Sequence, residues 1–283
     1  AFVARLDDAS LRAGIRFAVM AVVILPLLPE GPYGPFGGVR PRGLWTWVLF
    51  FSGLSFAGYL ARRALGARHG YAVTGLIGGL VSSTNVTLTF AVASRGQPAL
   101  GGPLASGVLA ASTVLFIRVG VAVAVLNAAL LSALAPYLVA PFVVGLLASV
   151  VGVSSQRETG PDIVAPANPL QVKTALHMTL LFQIVLFAVY AANQTWGDAG
   201  VFVSGGVLGL TDVDALTISM AKSGGFSLDP TVAARAIAIG IASNTVMKAL
   251  LAAVLGRGSF RLLAAAGLVA MAAASVASLT LLP

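Results

Sequence analysis

The stretch GLTDVDALTISMAK (Gly209–Lys222) places two carboxylates, Asp212 and Asp214, two residues apart inside a run of apolar and small residues. The chain of 283 residues contains only 9 acidic residues, so a pair in such surroundings needs a physical reason. On a regular helix, residues two apart point about 200° away from each other and cannot serve one site. An interrupted helix removes that restriction, and Gly205, Gly206 and Gly209 precede the pair.

The surroundings set the solvent. Charged residues make up 9% of the chain and hydrophobic ones 58%, with a mean hydropathy of +0.96. A soluble domain carries about 25% charged residues, so a chain this poor in charge is read as lying mostly in lipid. Cysteine is absent and there are 2 histidines, His69 and His177, which excludes thiolate chemistry and a histidine-rich metal site. The net charge of +8 does not point to nucleic acid, because the arginines sit at the ends of apolar runs (Arg12 and Arg16, Arg62 and Arg63, Arg257 and Arg261).

An apolar helix needs about 20 residues to cross the hydrocarbon core. By that measure the sequence predicts an all-α, polytopic integral membrane protein of about nine spans, at roughly 13–29, 44–61, 71–93, 104–126, 128–153, 174–192, 200–221, 232–255 and 259–281. Trp45, Trp47 and Trp196 fall near span ends, as an interfacial aromatic belt requires. Glu30–Gly43 reads as a Pro/Gly-rich loop and 154–169 as a second loop between halves. The first span follows Arg5, Arg12 and Arg16 but no cleavage site follows it, so it reads as a retained span.

Shifted by 130 residues, Gly70–Leu80 lies over Gly200–Leu210, with Gly70, Val73, Gly75, Gly79 and Leu80 meeting identical residues. Thr87 then meets Thr217, Ala91 meets Ala221 and Ala122 meets Ala252. The expected organisation is an N-terminal helix and loop (1–43), a first four-helix repeat (44–153), a connecting loop (154–169) and a second four-helix repeat (170–283). With four spans each, the repeats enter the membrane from the same side; a re-entrant segment would invert them. The basic residues divide too evenly to assign an orientation.

Four ionisable residues lie inside spans: Arg118, Asp212, Asp214 and Lys248. The register superposes Arg118 on Lys248, and Asp212 and Asp214 on Ser82 and Thr84 of SSTNVT (Ser82–Thr87). Each charge at a helix centre costs about 2.5–3.5 kcal/mol, so the four must face the protein interior and be paired. Intramembrane charges are candidates for a site. Ser82, Ser83, Thr84, Asn85 and Thr87 form the expected hydroxyl half, and Asp212, Asp214, Thr217, Ser243 and Asn244 the other, with Lys248 and Arg118 as tethered counter-charges. Carboxylate, hydroxyl and amide oxygens suit a hard cation such as Mg²⁺, Na⁺ or a proton relay, with Asp212 and Asp214 as the metal ligands. The Gly75-x-x-x-Gly79 and Gly205-x-x-x-Gly209 pairs fit either a helix break or close helix packing. Beside the ion site stands a plainer reading, a structural salt-bridge cluster joining two repeats. His177 is better explained by packing than by binding. Catalysis is not expected: both acids fall in one tripeptide, and the serines lack a placed base.

The segments GLIGGLVSSTNVTLTFAVASR, GLTDVDALTISMAK and IASNTVMKALLAAVLG resemble the bacterial membrane family called domain of unknown function 4010. RFAVMAVVILPLLPE, LWTWVLFFSGLSFAGYLARRALG and NPLQVKTAL fit it as well, so the resemblance covers nearly the whole chain. It implies a multi-pass protein of the bacterial inner membrane, in contact with lipid, whose domain commonly follows an MgtC/SapB-like domain linked to magnesium homeostasis. The alanine start fits a chain cut after such a domain. Asn85 stands where the family more often has a small residue, so its role transfers least. The expected function is inorganic-ion transport, of a cation such as Mg²⁺ or coupled to protons, by a carrier or a channel. The alternative is a non-transporting partner or regulatory domain. The ion, the coupling, the orientation and the possible formation of a homo-oligomer stay open.

Overall fold

The computed structural model describes residues 8–31, 33, 40–46, 48–49, 52–53, 56, 71–153, 172–222 and 228–282. Helix α1 (Asp8–Val19) continues through a π turn (Met20–Ile24) into Leu25–Leu27. The Met20 carbonyl accepts from the Leu25 amide across the π turn and also from the Trp45 indole at 3.0 Å. After α1 the expected loop to Gly43 ends early, because helical residues begin at Pro41. Most of span 44–61, including Trp47, lies outside the described residues, as do the loop 154–169 and the His177 side chain.

The remaining helices are α2 (Tyr71–Gly96), α3 (Gly101–Leu126), α4 (Ala128–Val153), α5 (Val172–Thr211), α6 (Val213–Lys222), α7 (Pro230–Leu255) and α8 (Gly258–Leu281). Five segments are long and apolar enough to cross a membrane among the described residues: Tyr71–Gly96, Pro98–Leu126, Ala128–Val150, Pro230–Leu255 and Gly258–Leu281. The distribution of side chains is that of a protein in lipid. Val125 (75% exposed), Val254 (74%) and Leu262 (72%) face outward, whereas Lys248 (0%), Thr87 (0%) and Asn244 (4%) are inside. This is a multi-pass helical membrane protein.

Two expected spans differ in detail. Span 71–93 is broken at Ser82, whose backbone is extended (φ −163°, ψ 109°). Span 200–221 is not one helix either: α5 ends at Thr211, Asp212 is non-helical, and α6 restarts at Val213. The segment expected to join spans 174–192 and 200–221 as a loop is helical up to a sharp turn at Gly197 (φ 57°, ψ −143°), a left-handed conformation open to glycine. The breaks at Ser82 and Asp212 fall 130 residues apart (212 minus 82), the offset of the sequence self-match.

Small residues explain how the broken helices pack. A Cβ on Gly75 would collide with the Gly107 backbone and one on Gly79 with Ala111, both on α3. Equally, a Cβ on Gly205 would meet the Ala236 backbone and one on Gly209 that of Gly240, both on α7. Both glycine pairs therefore serve close helix packing, and the breaks come three residues later. Across the molecule, α3 packs on α6 and α8, while α7 packs on α2 and α4; α4 and α8 also meet. The ends are tied as well: Arg95 donates to the Leu255 carbonyl at 2.7 Å, and the Arg257 amide donates to the Ser94 hydroxyl at 3.0 Å.

Two outcomes follow from this packing. Gly209→Val must push α5 off α7, at about 1–3 kcal/mol for an overpacked contact. Gly96→Ala, where an added Cβ meets nothing within 4 Å, shifts stability by no more than about 0.5 kcal/mol. Melting of the two variants in detergent compares them directly. At the start of α7, exposed Asp229 caps the helix by accepting from the Thr231 amide at 2.7 Å, which holds its carboxyl below the ordinary value. A depressed carboxyl stabilises above its unfolded value near about 4 and loses that contribution as the pH falls through the folded one. Asp229→Asn should therefore flatten the acid limb of the melting-temperature profile below about pH 4 without altering the rest.

Candidate functional site

A helix broken inside a membrane leaves carbonyls at the end of its first half and amides at the start of its second, with no water to satisfy either. The side chains singled out in the sequence meet these groups. At the first break, the Ser82 hydroxyl accepts from the Asn85 amide at 3.2 Å and so caps the second half of α2. At the second, Asp212 Oδ1 accepts from the amides of Asp214 (2.8 Å) and Ala215 (3.0 Å) and caps α6. Ser82 and Asp212, 130 residues apart, thus perform the same local task, one with a hydroxyl and one with a carboxylate.

The freed carbonyls are met from the neighbouring helices. Arg118 of α3 donates through one Nη to the carbonyls of Gly79 (3.0 Å), Leu80 (3.3 Å) and Val81 (3.2 Å). Its other Nη donates to Asp214 Oδ2, an ion pair that joins α3 to α6. In the other half, Asn244 of α7 donates to the Gly209 carbonyl at 3.0 Å. Lys248, one turn further along α7, is fully buried and reaches across to the Ser83 hydroxyl of α2 at 3.2 Å. Each half therefore sends a cation from its long unbroken helix to the second half-helix of the other.

The expected constellation is brought together in part. Arg118, Asp214, Asp212, Lys248, Ser83, Ser82 and Asn244 converge through these bonds, and Arg118 and Asp214 both lie within electrostatic reach of Lys248. Thr217 and Thr87 are buried but donate to their own helices, at the carbonyls of Val213 (2.7 Å) and Ser83 (2.9 Å). Thr84 and Ser243 are partly buried. The Asn85 side chain is exposed, so Asn85 joins the break only through its backbone amide. Gly75, Gly79, Gly205 and Gly209 shape the site through packing, and Gly79 and Gly209 contribute carbonyls as well. Among the described residues no group of three His, Cys, Asp or Glu side chains gathers to hold a metal.

What the sequence did not expose is the backbone's share. The carbonyls of Gly79, Leu80, Val81 and Gly209 are acceptors that no residue type advertises; only knowing where the helices break reveals them. Ser112, fully buried on α3 and with no hydrogen-bond partner for its hydroxyl among the described residues, carried no signal either.

The cap at Asp212 gives a direct test. Asparagine can accept the same amide bonds, so Asp212→Asn shifts stability by only a few tenths of a kcal/mol, whereas Asp212→Ala costs about 0.5–2 kcal/mol. Equal losses in a detergent melting series would remove the capping role.

Comparison with known proteins adds family membership. No solved structure matches the chain. An uncharacterized protein of Aquifex aeolicus (strain VF5) is similar, 26% identical over 191 residues, covering 65% of this chain and 81% of its own length. The sequence model for the Domain of unknown function (DUF4010) matches residues 49–256, the stretch that carries both helix breaks and the charged residues Arg118, Asp212, Asp214 and Lys248. The chain belongs to the DUF4010 family of proteins.

Proposed function

We propose that this chain is a carrier for an inorganic ion, a cation such as Mg²⁺ or one coupled to protons, with its site where two repeats meet in the middle of the membrane. The observation that carries the reading is the crossed pairing: Arg118 of the first unit holds Asp214 of the second, and Lys248 of the second holds Ser83 of the first. Both links lie at breaks in helices, where secondary transporters recurrently place their ion sites. The repeat architecture, about nine spans in two four-helix units plus an N-terminal helix, is part of this proposal. The equal spacing of the two breaks supports it.

The ion pair is suited to exchange. A cation arriving at Asp214 must displace the Arg118 guanidinium. Arg118 keeps three backbone carbonyls as acceptors when it lets go, so release does not strand it. Lys248 adds a second positive charge that opposes a cation until Asp214 is free. Placement in the bacterial inner membrane and an MgtC/SapB-like neighbour belong to the same proposal and rest on the family resemblance alone.

A non-transporting partner or regulatory role has one observation in its favour. Asp212 Oδ1 and much of Arg118 are committed to backbone groups, as a structural cluster would require. Flux separates the two. In proteoliposomes, uptake of Mg²⁺, Mn²⁺, Na⁺ or K⁺, with and without a pH gradient, should be present in wild type and fall at least tenfold in Asp214→Asn. Asp212→Asn should remain folded and reduce it less. Cation flux that survives the double Asp→Asn variant, or no flux with any ion in wild type, overturns the carrier reading.

A further inference from the structure

The two crossed links are alike in position but not in chemistry. Opposite Arg118 stands a carboxylate, Asp214; opposite Lys248 stands the hydroxyl of Ser83, and the next residue, Thr84, occupies the register position of Asp214. Lys248 is the more deeply buried of the two cations, at 0% exposed, yet its ammonium meets one hydroxyl at 3.2 Å. An ammonium carries three donors, so two exceed that contact. Arg118, 7% exposed, adds a further buried donor, its Nε–H, which has no hydrogen-bond partner. The sequence restricts what else could serve. Of the 9 acidic residues, those not described are Asp7, Glu158 and Asp162, the first near the N-terminus and the other two in the expected connecting loop.

We propose that Lys248, with the hydroxyls of Ser83 and Thr84, binds a small monovalent anion of carboxylate size, the mobile counterpart of the tethered Asp214 carboxylate opposite Arg118. The anion is held by the Lys248 ammonium and by donors of Ser83 and Thr84, at the start of the second half of α2. Thr84 defines the size limit, because an aspartate in its place would bring its own carboxylate to the same ammonium. The inference rests on the two-repeat register proposed above and not on the sign of the transported ion.

The test is melting of the purified chain in detergent at constant ionic strength, replacing potassium gluconate stepwise with potassium chloride, nitrate or bicarbonate. Wild type should gain roughly 5–10 °C at about 100 times the dissociation constant of the bound anion. Thr84→Asn, which keeps a donor and adds bulk without charge, should weaken the response without abolishing it. Thr84→Asp should melt above wild type in gluconate and lose the response. Lys248→Met should lose it too, and if that variant does not fold, the Thr84 pair decides. No shift with any of the three anions in wild type overturns the proposal, and so does a shift that persists undiminished in Thr84→Asp. Cation flux through Asp214 is read separately in proteoliposomes, so a failure here leaves the carrier reading standing, and the reverse also holds.

Discussion

Arginine in a membrane interior has five N–H donors and no water to receive them. In this protein the difficulty is met by a second one. At the break by Ser82 the carbonyls of Gly79, Leu80 and Val81, at the end of the first half-helix, share the two N–H bonds of one Arg118 Nη. The planar guanidinium can do this with one nitrogen and still offer another to Asp214. Remove the break and Arg118 loses its acceptors; remove Arg118 and the break exposes bare carbonyls to a low-dielectric interior. The buried charge and the irregular backbone stabilise each other.

That mutual dependence fixes much else. For Arg118 to reach the end of the first half-helix, α2 must run within backbone distance of α3, which Gly75 and Gly79 permit against Gly107 and Ala111. On the other side, Gly205 and Gly209 bring α5 equally close to α7, where Asn244 meets the Gly209 carbonyl. The longer Lys248 is then free to cross to Ser83. A lysine cannot replace the arginine by satisfying several carbonyls and a carboxylate at once in one plane. The difference between the two cations thus follows the difference between the groups they face.

The same geometry explains why the centre can be both a fixed joint and a site. Asp212 is committed to the backbone of α6, while the Asp214 carboxylate pairs with Arg118 and remains 24% exposed. Two acids two residues apart, chemically identical, therefore differ in what releasing them would disturb. One holds a helix end together; the other closes an ion pair whose partner has acceptors to spare.

Composition alone settled that the chain lies in lipid, because 9% charged residues cannot clothe a water-facing surface. Apolar run length marked the five segments that recur as long apolar helices, and the 130-residue self-match put Ser82 opposite Asp212 and Arg118 opposite Lys248. These are properties of spacing, and spacing is visible in a sequence. The tertiary structure decided whether the glycines break or pack. They pack, since each meets a neighbouring backbone, and the breaks fall at the polar residues that follow. It also decided partners. Asp212 and Asp214 read as a pair of ligands, yet one binds amides of its own helix and the other a guanidinium from across the molecule. Carbonyl acceptors are common to every residue, so no sequence pattern marks the three that Arg118 uses. Which of them is free depends on where a helix stops, and which cation reaches them depends on how closely two helices approach.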